Sequence, residues 1–111
     1  MQGKFIGLPF FCLMAWVYIL YSKKIEKFYI GICRDSIEKR IGFHNEKKYG
    51  RHRFTACTDD WQLYIKLECR DIAHAVRVER KIKSMKSSKY IKNLYRYPEL
   101  SQRVLRETES T

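Results

Sequence analysis

The sequence predicts an α+β domain, a three-stranded antiparallel β-sheet flanked by helices in the order ββαβαα. Three observations carry that expectation. Two short aromatic and β-branched runs are joined by a polar link too short for a crossover, so they pair antiparallel. A third run, Gln62 to Cys69, alternates apolar and polar residues with the period of a half-buried strand. Helix-capping residues then precede segments of helical spacing.

Trp16 to Tyr21 reads as the first strand and Phe28 to Ile32 as the second, with Ser22 to Lys27 as the hairpin connection. Gly31 inside the second strand marks a bulge or a close approach by another backbone. Asp35 or Ser36 caps the first helix, and Glu38 stands three residues after Asp35 as in a capping box. Ile37 and Ile41 form its buried face, and Gly42 weakens it so that it frays near Asn45. Lys47 to Arg53 reads as a basic surface loop. In the third strand Leu63, Ile65, Leu67 and Cys69 share one face. Asp71 caps a second helix running to about Met85. A third helix, from Ser87 to about Tyr95, uses Tyr90, Ile91 and Leu94 as apolar contacts. Pro98 stops it, and residues 98–111 read as a polar, peripheral tail. The domain is therefore expected over residues 14–97, with residues 1–13 a loosely attached apolar extension and Met14 an alternative start.

At 111 residues the chain has room for one core. Apolar residues make up 45% and aromatics 14%, a globular rather than a disordered composition. Lysine and arginine total 23 against 12 acidic residues, a formal charge of +11, and the pI is about 9.7. A polyanionic partner is the usual reason to carry such self-repulsion, and the eight tyrosines among the bases suit nucleic acid better than lipid. The cysteines Cys12, Cys33, Cys57 and Cys69 form no Cys-x-x-Cys pair, which argues against a zinc ribbon or a thioredoxin-like site. The irregular spacing of Cys57, Cys69 and His74 argues against a ligand set. Cysteines beside apolar residues fit a reducing, cytoplasmic setting, with association with the nucleoid compatible. The uncharged run from Phe5 to Tyr21 contains the first strand, which leaves too few residues for a membrane span.

On the second helix Ile72, Ala75, Val76, Val78, Ile82 and Met85 define an apolar sector, and Glu79 lies inside it. A carboxylate there is costly unless it is paired, with Arg40 or a helix lysine, or binds a metal. Arg40 and His44, four residues apart, share one face of the first helix. That pair is either a solvated surface or a clamp aimed at phosphate.

Taken in order, these residues resemble the GIY-YIG nuclease superfamily, in particular its small single-domain branch. The resemblance runs from Trp16 to about Leu94. Trp16-Val17-Tyr18 stands for the GIY element, with its glycine replaced and its tyrosine kept, and Tyr29-Ile30-Gly31 is an intact YIG element. Arg40, His44 and Glu79 match the family's arginine, histidine and metal-binding glutamate, and Asn93 matches the asparagine that often follows. Some relatives have a lysine directly after the YIG glycine; here Ile32 follows, and Arg34 is the nearest replacement for that charge.

The resemblance implies metal-assisted phosphodiester hydrolysis with one divalent cation, Mg²⁺ or Mn²⁺, held by Glu79. It implies a tyrosine-activated water, with Tyr18 as base and Tyr29 the alternative. Arg40 would neutralise charge on the phosphorane, His44 would bond the tyrosine or the phosphate, and Gly31 would keep the sheet open beneath the substrate. Lys47, Lys48, Arg51 and Arg53 on the loop, with Lys83, Lys86, Lys89 and Lys92 further on, would track the backbone. About six phosphate contacts would give a log affinity–log salt slope of roughly −5. DNA is the expected substrate, cut in a structure-directed or nonspecific way, and RNA stays open. Two other readings remain: a nucleic-acid-binding module of the same fold with little turnover, and a basic membrane-attached protein using the run from Phe5 to Leu13.

Overall fold

The computed structural model describes residues 14–46 and 54–110 and contains the expected sheet. Strands β1 (Ala15–Ser22), β2 (Lys27–Cys33) and β3 (Gln62–Cys69) are antiparallel in the order β2-β1-β3. The central position of β1 follows from its sequence, because Val17 and Ile19 bury to one face while Tyr18 and Leu20 bury to the other. A strand covered on both faces reads as a near-continuous apolar run rather than as an alternation. The four-residue link brings Ser22 opposite Lys27, with Glu26 in the left-handed region at φ 52°. The fully buried Ser22 hydroxyl donates to the Asp60 carboxylate and accepts from the Ile25 amide. Thr58 and the Lys24 amide also donate to Asp60, at 2.7 and 3.1 Å, so this one carboxylate ties the hairpin to the segment before β3.

Helix α1 (Ile37–Asn45) covers one face of the sheet, and α2 (Ile72–Ser84), α3 (Ser88–Arg96) and α4 (Pro98–Glu107) cover the other. The α1 cap is Ser36, whose hydroxyl accepts the Lys39 amide at 3.2 Å. Asp35 is not the cap, and Glu38, only two residues past Ser36, makes no capping box; it accepts from the Ser36 hydroxyl instead. Asp71 caps α2 through the His74 amide and Ser87 caps α3 through the Tyr90 amide, as expected. A short 3-10 turn, Phe54–Cys57, precedes β3. The larger core lies between the sheet and α2, α3 and α4, with Ile19, Ile65 and Leu67 against Val78, Ile82, Leu94 and Val104.

Three expectations need correction. Residues 98–107 are a helix and not a peripheral tail: Pro98 begins it, where its fixed φ and missing N–H cost nothing. Ser101 and Val104 are buried, and the C-terminal carbonyls of Leu105, Thr108 and Glu109 are taken by His74, Arg77 and Arg70. Leu63 is exposed, because a bulge between Ile19 and Leu20 sets it opposite Leu20, on the other face from Ile65. Ile72 and Met85 are exposed as well, so the buried stripe of α2 narrows to His74, Ala75, Val78 and Ile82. Residues 1–13 and the basic loop with Lys47, Lys48, Arg51 and Arg53 lie outside the described residues. Among the described residues, no helix is long and apolar enough to cross a membrane.

Candidate active site

The two tyrosine elements meet because β1 and β2 pair in a register that sets Tyr18 opposite Gly31 and Leu20 opposite Tyr29. Both tyrosines then point to the α1 face. A Cβ built on Gly31 would stand 2.5 Å from Cζ and Oη of Tyr18 and 3.0 Å from Cε1. The glycine is therefore the floor on which the Tyr18 ring lies. The close approach expected at this position is made by a side chain, not by a backbone.

Helix α1 brings His44 over the same spot. The Tyr18 hydroxyl and His44 Nε2 are 3.0 Å apart, and both residues are buried. The Tyr29 ring packs 4.9 Å from the His44 ring and 6.3 Å from that of Tyr18, completing a three-ring cluster. Trp61 lies against Tyr29 at 6.3 Å. Asn45 pins the Trp61 backbone: its amide donates to the Trp61 carbonyl at 3.0 Å and its oxygen accepts the Trp61 backbone N–H at 2.7 Å. The reading of Asn45 as a fraying end missed this clamp. A polar amide at a helix end before a loop holding a single tryptophan was the available signal.

Arg40 stands one turn before His44 on α1, and its Nε bonds Asp35 at 3.2 Å. A guanidinium held this way keeps its remaining donors in a set orientation. Asp35 thus acts as the partner of Arg40, a role hidden by its resemblance to a cap. Arg34 is exposed and joins Arg40, Cys33 and Ile72 around a shallow cleft of about 350 Å³. Burial pushes the Cys33 thiol up, helped by Asp35, so it stands beside the site as a neutral thiol and not as a nucleophile.

Glu79 stands on α2, one of the helices that cover the opposite face of the sheet. At about 100° per residue, Ile72, Glu79 and Lys83 share one flank of α2. Ile72 lines the Arg40 cleft, and Lys83 lines a groove with Tyr29 and Phe28. Glu79 lies between them on that flank. Its side chain is 22% exposed and ion-paired with Lys83 at 3.3 Å, so it sits on the margin of the apolar stripe, not within it. That placement fits a hydrated cation. The carboxylate is reachable, its partner is a mostly exposed lysine, and Mg²⁺ is commonly held by one or two carboxylates with water and phosphate oxygens.

Of the remaining candidates, Lys83 and Lys86 line the groove beside β2, and Lys89 and Lys92 are exposed on α3. Asn93 is half-buried on α3, where its carbonyl accepts the Tyr97 amide at 2.8 Å. His74 uses both ring nitrogens within the fold, Nδ1 with the Arg70 amide and Nε2 with the Leu105 carbonyl.

No curated protein and no solved structure matches the chain at a significant level. The family described as the GIY-YIG catalytic domain matches residues 14–94, a span that holds all three strands and Tyr18, Tyr29, Arg40, His44 and Glu79. Its members are endonucleases acting on nucleic acid and typically use a divalent metal. With that match over most of its length, and with a sheet that sets the two tyrosine elements side by side, the chain belongs to the GIY-YIG family.

Proposed function

We propose that the protein is a metal-dependent endonuclease that hydrolyses DNA phosphodiester bonds with a tyrosine-activated water, in a structure-directed or nonspecific way. The observation that carries this reading is the Tyr18–His44 hydrogen bond at 3.0 Å, buried beside Tyr29 and one helical turn from Arg40. A phenol ordinarily loses its proton near pH 10, so a base at neutral pH needs a group that takes that proton. In the tautomer with Nε2 unprotonated, His44 accepts the Tyr18 proton while Tyr18 takes one from the attacking water, a transfer that the 3.0 Å separation supports. Arg40, oriented by Asp35, neutralises charge on the phosphorane, a contribution on the order of 3–4 kcal/mol in comparable oxyanion sites. Glu79 holds Mg²⁺ or Mn²⁺, which when bound supplies Lewis-acid stabilisation of the leaving oxygen. Lysines 83, 86, 89 and 92, with Arg34 and the bases at 47, 48, 51 and 53, bind the phosphate backbone without reading sequence.

The test is cleavage of linear, flapped and branched DNAs with Mg²⁺ or Mn²⁺ by wild type and Glu79→Gln. Wild type should cut only with a divalent cation, and Glu79→Gln should lose most of its rate while keeping DNA affinity without metal. Equal cleavage by the two proteins would show that Glu79 holds no metal.

A further inference from the structure

A groove of about 500 Å³ runs along the outer edge of β2, starting at Tyr29. Phe28, Ile30 and Ile91 give it an apolar floor, and Lys27, Lys83 and Lys86, against the one carboxylate of Glu26, give it a net cationic rim. Phe28 also opens an aromatic chain. Its ring packs edge-on against Tyr64 at 5.0 Å, and Tyr64 stacks with Tyr95 at 4.8 Å and 28°. Tyr95 lies on α3 one turn past Ile91, and it is 64% exposed with one ring face on Tyr64. Lys86 is held in the left-handed region at φ 47°, at the end of α2 where glycine is ordinarily favoured. A lysine kept there adds a cation to the rim at a conformational cost.

A duplex keeps its base faces stacked and offers a protein mainly its backbone and groove edges, so a broad apolar floor is poorly matched to it. An unpaired nucleotide offers flat base faces together with phosphate, which matches aromatic and aliphatic surface bordered by lysines. The volume lies in the range of pockets that enclose a small organic ligand, about 300–1,000 Å³. We infer that this groove, continued by the Tyr64–Tyr95 stack, holds unpaired nucleotides of a single-stranded segment next to the cleavage site. This rests on the nuclease reading and adds the substrate class: nucleic acid with a single-stranded branch, flap or end.

The experiment is fluorescence anisotropy of the full chain with a labelled oligothymidylate and with a blunt duplex of equal charge, in EDTA at one fixed salt concentration. Wild type binds the single strand more tightly. Tyr95→Ala weakens single-strand binding by about tenfold, the loss of one base–aromatic stack, and leaves duplex binding within about twofold; Tyr95→Phe keeps both. Equal or tighter duplex binding by wild type, or equal losses on both ligands in Tyr95→Ala, overturns the assignment. Because binding is read without metal, the two readings fail separately. Selective single-strand binding by a protein that cuts nothing would sink the nuclease alone. Cutting of blunt duplex with no single-strand preference would sink the groove alone.

Discussion

Replacing Gly31 by alanine tests the geometry of the site most directly. The added methyl carbon would stand 2.5 Å from Cζ and from Oη of Tyr18. The ring has little room to move: Tyr18 is 3% exposed on the central strand, and its hydroxyl is bonded to His44. Overpacking of this kind costs about 1–3 kcal/mol. Distorting the buried Tyr18–His44 hydrogen bond costs about 1–3 kcal/mol more. A total of about 2–6 kcal/mol is a large share of a stability of roughly 5–15 kcal/mol. At about 4 °C or more per kcal/mol the thermal midpoint should fall by at least about 8 °C. Cleavage by the folded fraction should fall by about 10²–10⁴, the usual worth of a placed general base. Gly42→Ala is the control. Among the described residues nothing lies within 4 Å of its new carbon, so the helix should gain about 0.5–1 kcal/mol. Calorimetry and a cleavage time course read both effects. A Gly31→Ala/Tyr18→Leu double variant, which removes the clashing phenol atoms, should recover much of the lost midpoint and none of the activity. If Gly31→Ala melts within about 2 °C of wild type and still cuts, the ring does not rest on Gly31 and the reasoning fails.

Tyr18→Phe should lose most of the cleavage rate and keep DNA affinity, whereas Tyr29→Phe should lose less; the reverse order in single-turnover rates moves the base to Tyr29. Val104→Ala, at a site 1% exposed, should cost about 2 kcal/mol in urea unfolding through lost burial and a residual cavity, an effect a peripheral tail would not show. Asp60 is held down to about 2 by the Ser22 and Thr58 hydroxyls, below the ordinary carboxylate value of about 3.9. Its folded pKa is the lower one, so its contribution is complete above about pH 5 and is lost as pH falls through about 4 towards 2. Asp60→Asn should therefore be less stable at pH 6 and show a flatter loss of urea midpoint on acidification. Equal slopes for the two proteins would contradict the role given to Asp60.

The parts of the site that could be read in sequence are those whose signals are local. Tyr18 and Tyr29 sit in strand-like runs, Arg40 and His44 sit one turn apart, and Glu79 interrupts a helical apolar pattern. Contacts across long separations left no such trace. Asn45 with Trp61, Ser22 with Asp60, and Arg77 with Thr108 each join residues more than 15 positions apart. The polar surface of residues 98–107 hid a helix because Pro98 serves equally to end one helix and to start the next.

By itself, the order of residues determined the α+β class, the three strands and the capped starts of α2 and α3. Periodicity and capping act within a few residues and need no partner. Tertiary structure alone decided that Gly31 supports a ring, that Asp35 holds Arg40, and that Glu79 stands on the rim of the apolar stripe beside Lys83. Those outcomes depend on register and on which faces meet. A shift of one residue between β1 and β2 would preserve both tyrosine elements in the sequence and take the Tyr18 ring off its glycine floor.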